Sequence, residues 1–160
     1  MREILFRCKR LCLDEWVEGY FVRAKMRRYD KELCEYISVP HPEAEGMPSD
    51  NFLVDPDTVG QFTGLTDKNG KKIFEGDIIQ YSIEEDQAVF VGAVKFGEFN
   101  PDGGALLNTN VGFYVELVDQ EGKRTYMRKD IGFWVKFRGI EVIGNIHDNP
   151  ELMEMKADVG

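Results

Sequence analysis

Hydrophobic and polar residues alternate in short runs along most of the chain, which is the pattern of half-buried β-strands. Near the start, "ILFRCK" and "WVEGYFV" both alternate, with a turn near Asp14–Glu15 between them, and this predicts a β-hairpin. Five later runs are short and rich in β-branched or aromatic residues: "AVFVGAVKFGEF", "VGFYVELVD", "KRTYMRK", "GFWVKF" and "IEVIGNI". Short strands separated by turn signals are typical of a small barrel or roll.

Two stretches depart from this pattern. Residues 22–37 carry apolar side chains at helical spacing but also read as two strands around a break at Tyr29–Glu32. We favour the strands, and the helix stays open as the alternative. In "NIHDNPELMEMK", Asn149 is a good N-cap and Pro150 suits the first helical position, so a helix of about two turns is expected from Pro150 to Met155.

The pattern divides the chain into three regions. Residues 1–39 form an N-terminal β-hairpin region, residues 40–59 an acidic, proline-rich loop, and residues 60–160 a β-barrel or roll with a C-terminal helix. With 160 residues and 42% hydrophobic residues, the chain can bury one sizeable core or two small ones, and we expect one compact unit. The loop region holds four of the six prolines and few apolar groups, so we expect it to be the most mobile internal segment.

The net charge of −9 disfavours a nucleic-acid binder that contacts many phosphates. Much of the acidity lies in residues 37–67, which have six Asp/Glu and no Lys/Arg. An acidic mimic of nucleic acid, inhibiting a host DNA-binding protein, therefore remains an alternative function. The basic and aromatic stretches "RAKMRRY" and "KRTYMRK" leave weak single-stranded nucleic-acid binding as another.

The three cysteines and the N-terminal sequence indicate a cytoplasmic protein. "MREILFRCKR" places charges where a secretory leader needs apolar residues, and the longest apolar run, "AVFVGAV", is too short to span a bilayer. Cys8 and Cys12 form one loose pair, whereas zinc sites need about four ligands. We therefore expect reduced thiols, no metal site, no cofactor and no membrane association.

Recognisable catalytic motifs are missing from the sequence. The serines lack a GxSxG context, and the pairs of carboxylates, such as Glu75 with Asp77, show no sign of a cleft. His147 lies beside Asp148, but we favour the interpretation that it is a polar residue in the turn before the last helix. We predict no catalytic residues and a protein that is not an enzyme.

The stretch "GQFTGLTDKNGKKIFEGDIIQY", residues 60–81, contains four glycines and raises the question of a phosphate-binding loop. It has neither GxGxxG nor GxxxxGK[ST], so that interpretation fails. Asn69–Gly70 instead predicts a tight hairpin turn, and Asp67 is placed to cap it through its carboxylate. Gly76–Asp77 predicts a turn or bulge that opens the next strand.

The chain resembles the YopX-like family of small proteins carried by bacterial phages and prophages. The resemblance lies in "MREILFR", "WVEGY", "LVDPDTVGQFTGLTDKNGKKIFEGDII", "GFYVEL" and "IEVIGNIHDNPEL", which together span nearly the whole chain. It implies a mainly β fold with a roll related to SH3-type barrels, and assembly into homo-oligomers. The family-motif residues, for which a structural role is favoured over binding, are Gly60, Gln61, Thr63, Gly64, Asp67, Asn69, Gly70, Gly76, Asp77, Gly144, Asn145, Asn149 and Pro150.

Residues and resemblance together predict a phage- or prophage-derived accessory protein in the cytoplasm of its bacterial host. We expect a non-enzymatic β module that binds itself and a host or phage protein.

Overall fold

The computed structural model describes residues 3–25, 32–41, 49–83, 88–101, 109–118 and 124–154, with the backbone alone for residues 83, 88 and 124–128. The chain divides into two compact units, Met1–Phe62 and Thr63–Gly160. The division falls close to residue 60, where the sequence predicts the start of the barrel region.

The first unit is an antiparallel sheet built from the predicted hairpin and the strands that follow it. Its strands are β1 (Phe6–Lys9), β2 (Trp16–Ala24), β3 (Cys34–Pro40), β4 (Ser49–Leu53) and the beginning of β5 (Gly60–Thr66). They lie in the order β4-β3-β2-β1-β5. The hairpin is confirmed, because β1 and β2 pair from Phe6↔Gly19 to Lys9↔Trp16.

The ends of β4 and β1 meet, although two strands separate them in the order of the sheet. Arg10 forms a β-bridge with Val54, and the Leu11 N–H donates to the Leu53 carbonyl at 3.0 Å. The sheet must therefore bend strongly around the small core of Cys8, Ile37 and Val54, all of which are buried.

The region of residues 40–59 is not the continuous loop that the sequence predicts. β4 pairs with β3 from Tyr36↔Leu53 to Pro40↔Ser49, and a 3-10 helix follows at Pro56–Thr58. The prolines misled the prediction, because Pro40 ends a strand and Pro56 begins a helix, where neither disrupts a backbone hydrogen bond. Residues 42–48 lie outside the described part of the chain, so the expected mobility stays a prediction.

The favoured strands in residues 22–37 are confirmed where the chain is described. β2 and β3 pair from Tyr20↔Ser38 to Ala24↔Cys34, and residues 26–31 between them lie outside the described residues. Alternation therefore outweighed helical spacing, because the apolar residues of both strands have partners on the neighbouring strand.

The second unit is built on a five-stranded antiparallel sheet in the order β10-β9-β8-β7-β11. Its elements are β6 (Lys72–Phe74), β7 (Asp77–Ile83), β8 (Ala88–Phe99), β9 (Asn110–Val118), β10 (Arg124–Asp130), the helix α1 (Ile131–Arg138) and β11 (Glu141–Asn145). β6 lies beside β5.

Side chains on one face of this sheet pack with α1 to form the larger core. Ile79, Val94, Val115 and Leu117 are fully buried there beside Trp134 of the helix. The opposite face carries a buried charge: Glu116 is 4% exposed and forms an ion pair with Lys95. Mainly β structure, as predicted, is confirmed in both units.

The segment "GFWVKF" was expected to be a strand and is the helix α1. Its composition favours a strand, but its two ends carry strong helix signals. The Asp130 carboxylate accepts a hydrogen bond from the Phe133 N–H at 3.0 Å, and Gly139 takes a left-handed conformation at the C-terminal end, with φ of 57°. Burial of Ile131 and Trp134 then outweighs the propensity of the remaining residues.

The C-terminal helix is shorter than predicted and differs in type. Pro150–Met153 is one turn of 3-10 helix, and Met155 lies outside the described residues. The Asn149 side chain does not cap it, because its Oδ1 faces back and accepts from the Asn145 N–H at 3.4 Å.

We expect Asp130→Ala to lower the free energy of unfolding of the second unit by about 1 kcal/mol, because the first turn of α1 loses its cap. Asp130→Asn keeps a capping oxygen and is the matched control, with a change below about 0.5 kcal/mol. Urea unfolding followed by fluorescence of the buried Trp134 measures both variants. Equal destabilisation by the two substitutions would contradict the capping role.

Candidate functional site

Two family-motif segments far apart in the sequence meet at the Asp67 carboxylate in the second unit. Its Oδ1 accepts hydrogen bonds from the N–H groups of Asn69 at 2.8 Å and Lys71 at 2.9 Å. Its Oδ2 accepts from the N–H of Val142 in β11 at 3.0 Å. One buried side chain thus closes its own turn and ties that turn to a strand 75 residues later.

The ionised form of Asp67 is the form that this arrangement stabilises. Burial raises the pKa of the carboxyl, but the backbone hydrogen bonds from Val142, Lys71 and Asn69 outweigh burial and hold the pKa below its usual value. A protonated carboxyl would lose acceptor capacity where three N–H groups converge.

The turn itself has the predicted form. The Gly70 N–H donates to the Asp67 carbonyl at 3.0 Å, and the Asp67 N–H donates to the Lys71 carbonyl at 2.8 Å. Gly70 has φ of 82°, and a β-carbon there would meet no atom within 4 Å. Glycine is therefore required by the backbone conformation and not by a lack of space.

Lys68 makes a second connection between this turn and β11. Its N–H donates to the carbonyl of Ile140 at 3.0 Å, and its Nζ lies 2.7 Å from Glu141 Oε2. The hydrogen bond and the charge of Lys68 lower the pKa of Glu141. The turn is therefore docked against the connection between α1 and β11.

The same two motif segments also meet at a second place, around Gly76 and Asp77. Asp77 is 1% exposed, and its Oδ2 accepts from the Phe74 N–H at 2.8 Å. Gly76 has φ of 83°, and its carbonyl accepts from the Ile146 N–H at 2.9 Å. Since Asp77 also pairs with Asn145, the predicted turn before β7 is packed against the end of β11.

Asn145 organises the turn that follows β11. Its Oδ1 accepts from the N–H groups of His147 at 2.9 Å and Asp148 at 3.0 Å, while its Nδ2 donates to Asp148 Oδ2 at 2.7 Å. A β-carbon at Gly144 would lie 2.5 Å from Asn149 Oδ1, so the turn closes directly on the strand. The His147 ring approaches Gly76, with Nε2 3.9 Å from the position of a β-carbon there.

The other motif residues are placed in different parts of the fold. Thr63 is buried, and its hydroxyl donates to the Ile73 carbonyl at 2.9 Å. Gly64 is an exposed residue with φ of 86°, and Pro150 is exposed at the start of the 3-10 helix. Gly60 and Gln61 belong to the first unit, where they pair with Arg7 and Phe6.

The hydrogen bonds of these carboxylates and amides are made to other groups of the second unit, as a structural role requires. In the described part of the chain, no group of three or more His, Cys, Asp or Glu side chains is placed to hold a metal ion. Burial raises the pKa of the Cys8 thiol to about 12, so that thiol stays protonated and unreactive. None of the described helices is long and apolar enough to cross a bilayer.

Sequence patterns did not reveal two surface features of the second unit. Phe96 and Val111 are exposed on the face of the sheet that carries the core, and Phe137 is exposed on α1 beside Lys136 and Arg138. The sequence did carry a signal for the exposed Phe137 and its basic neighbours, because residues 131–140 contain no Asp or Glu. The two basic stretches that sequence reasoning did select are largely undescribed, at residues 26–29 and in the side chains of residues 124–128.

We expect Gly70→Val to destabilise the second unit by about 1–3 kcal/mol, because a β-branched residue is forced into a left-handed conformation. Lys71→Ala, at the exposed neighbouring position, is the control and should change stability by less than about 0.5 kcal/mol. Thermal and urea unfolding measure both variants. A Gly70→Val protein as stable as the parent would show that the turn tolerates another geometry.

Asp67 should also make stability depend on pH. Its folded-state pKa is lowered, so its contribution is complete above the unfolded-state value of about 4 and is lost as pH falls through the folded-state value. Relative to Asp67→Asn, the parent should therefore keep its full stability near neutral pH and lose stability as pH falls below about 4. Urea unfolding at several pH values tests this, and a constant difference between the two proteins would contradict it.

Comparison with known proteins agrees with this mainly β architecture. The crystal structure of protein EF1440 from Enterococcus faecalis is similar to this chain with a TM-score of 0.51 and 22% sequence identity, covering 96% of this chain and 99% of that one. At this identity the likeness concerns the fold alone. A search of curated proteins found no significant match.

The family resemblance suggested by the motif segments is confirmed by a sequence profile. The profile of the family described as "YopX protein" matches residues 6–154, which is nearly the whole chain and includes every motif residue discussed above. The chain therefore belongs to the YopX family.

Proposed function

We propose that this YopX-family chain is a non-enzymatic accessory protein of phage or prophage origin that self-associates and binds a partner protein in the bacterial cytoplasm. The observation that carries the proposal is an exposed apolar patch on the second unit, formed by Phe96, Val111 and the partly buried Phe113. The hydrogen bonds that Asp67, Asp77 and Asn145 make within the second unit support a structural role for these motif residues.

The apolar patch lies on the same face of the sheet as the larger core and adjoins its buried residues. The register of β8 and β9 places Phe96 opposite Phe113, on the same face as the buried pair Val94↔Val115. Phe96 is 54% exposed and Val111 is 69% exposed, and the rings of Phe96 and Phe113 lie 5.0 Å apart. Adjacent exposed apolar side chains on a regular sheet mark an interaction surface.

A second copy of the chain is the occupant that we propose for this patch. β8 and β9 keep a continuous register beneath the patch, and a symmetric dimer would bury the same patch on both copies. The repulsion between two chains of net charge −9 is partly screened at physiological salt, whereas the gain from burying the aromatic rings is not.

The relation to SH3-type barrels is also part of the proposal, and it fits the first unit better than the region from residue 60 onwards. Support comes from five short strands in the order β4-β3-β2-β1-β5 and from the 3-10 helix between β4 and β5. The bridge between Arg10 and Val54 further brings the end of β4 to β1. Such a small curled sheet is suited to binding.

Light scattering over a concentration series tests self-association. We expect a mass above the monomer value of 18.4 kDa, and we expect Phe96→Ser combined with Val111→Ser to shift the protein to monomer. Phe137→Ser removes an equally exposed aromatic ring from α1 and is the control, with no change in mass. A parent protein that is monomeric at every concentration would refute the proposal.

A further inference from the structure

The first residues of β9 have a neighbouring strand on one side only. β10 runs beside β9 as far as Asp130↔Tyr114, where the chain enters α1. β8 continues beside β9 to its first residue, at Phe99↔Asn110. In the described part of the chain, no strand therefore lies next to residues 110–112 on the side away from β8. We use the name open edge for residues 110–112.

The main chain of Val111 faces out of this open edge. The Gly76 N–H donates to the Val94 carbonyl at 2.9 Å, so the main chain of Val94 faces β7. Val115 lies opposite Val94 and therefore faces away from β8, towards β10. Successive residues of an antiparallel strand face its two neighbours alternately. Val111 lies four positions before Val115 in the same continuous register, so its N–H and C=O groups also face away from β8 and offer a template for another strand.

The open edge lacks the devices that usually keep the edges of β-sheets from pairing. Exposed edges are commonly blunted by charged residues, by proline or by a bulge. Residues 110–112 are Asn, Val and Gly, and their register with β8 has no shift. In a chain of net charge −9, an uncharged strip of this kind is a place where two copies meet with little repulsion.

The side chains on both faces of the open edge suit pairing with a second copy. Val111 is 69% exposed, more than any other large hydrophobic residue in the described part of the chain, and it belongs to the apolar patch with Phe96 and Phe113. Asn110 and Gly112 lie on the opposite face by alternation. A β-carbon at Gly112 would meet no atom within 4 Å, and glycine inside a strand often marks the close approach of another backbone.

We propose that two copies of the chain pair antiparallel through their open edges, with Val111 of each copy opposite Val111 of the other. The two residues exchange N–H···O=C hydrogen bonds, and their side chains pack together on the face that carries the apolar patch. On the opposite face, Asn110 of each copy lies opposite Gly112 of the other. This inference rests on the proposed self-association and names its geometry, in which two sheets join edge to edge.

A carboxylate on the patch face, that of Glu98, lies far enough from the two-fold axis to permit this pairing. Glu98 is exposed and lies opposite Val111 on β8. In the paired sheets the two Glu98 residues are three strand spacings apart, about 14 Å, which exceeds the Debye length at physiological salt. One symmetric contact also removes the open edge from both copies at once.

Charge swaps on the opposite face test the pairing without changing the apolar patch. Sedimentation and light scattering over a concentration series measure the dissociation constant of the dimer. Asn110→Asp with Gly112→Asp, and Asn110→Lys with Gly112→Lys, each place like charges opposite one another, and we expect each pair to raise the dissociation constant about tenfold or more. Asn110→Lys with Gly112→Asp places opposite charges across the axis, and we expect it to stay within about threefold of the parent.

The lysine pair separates local repulsion from the effect of net charge. It makes each chain less negative, so general repulsion between acidic chains predicts tighter association, whereas edge pairing predicts weaker association. Circular dichroism confirms that each variant is folded. Amide hydrogen exchange of the parent is a second readout: the Val111 amide should become protected as concentration rises, while the Gly112 amide, which faces β8, should be protected at every concentration.

Two kinds of failure are distinguishable. A parent protein that is monomeric at every concentration overturns this proposal together with the proposed self-association. A dimeric parent whose three double variants associate equally well, or whose Val111 amide exchanges at a rate independent of concentration, overturns edge pairing alone. Self-association by packing of the apolar patch against another surface would then stand, with Phe96→Ser and Val111→Ser as its test.

Discussion

The second unit depends on one buried carboxylate, because Asp67 is the point at which its two ends are joined. Three N–H groups, from Asn69, Lys71 and Val142, converge on its two oxygens. Asp67 is only 6% exposed. A side chain without acceptor oxygens at this position would leave the three N–H groups buried and unpaired, which would destabilise the fold. The turn after β5 and the strand β11 are therefore fixed relative to each other.

Other features follow from that constraint. Lys68 is set against Ile140, immediately beyond the glycine that ends α1, and this brings the turn beside the helix. The helix in turn covers one face of the sheet through Ile131 and Trp134. The contacts that fix the turn thus also fix the segment that joins the helix to β11.

The turns could be predicted from sequence because their chemistry is local. Asp67, Asn69 and Gly70 lie within four residues, and the hydrogen bonds and positive φ of the turn need no distant partner. The same is true of Gly76, whose positive φ marks the turn before β7. The strand pairs of the first unit were also readable from alternation, since each apolar residue has a counterpart on its neighbour.

The sequence predictions were wrong in segments where tertiary packing outweighed the local conformational preference. "GFWVKF" has the composition of a strand, but its caps and the burial of Trp134 make it a helix. The prolines around β4 indicated a loop, although Phe52 pairs with Ile37 and Val54 is 3% exposed in the first core. In both cases contacts with distant residues supplied more free energy than the preference of the segment itself.

By itself, the sequence determined the mainly β class, the positions of the tight turns and the YopX family, because each is expressed in residues near one another or in a linear pattern. Only the tertiary structure decided that Asp67 reaches β11, that Phe96 and Val111 lie outside the core, and that the Lys68 N–H meets the carbonyl of Ile140. The reason is that contacts between residues some 70 positions apart depend on strand order and helix docking, and no linear pattern in a single sequence records either.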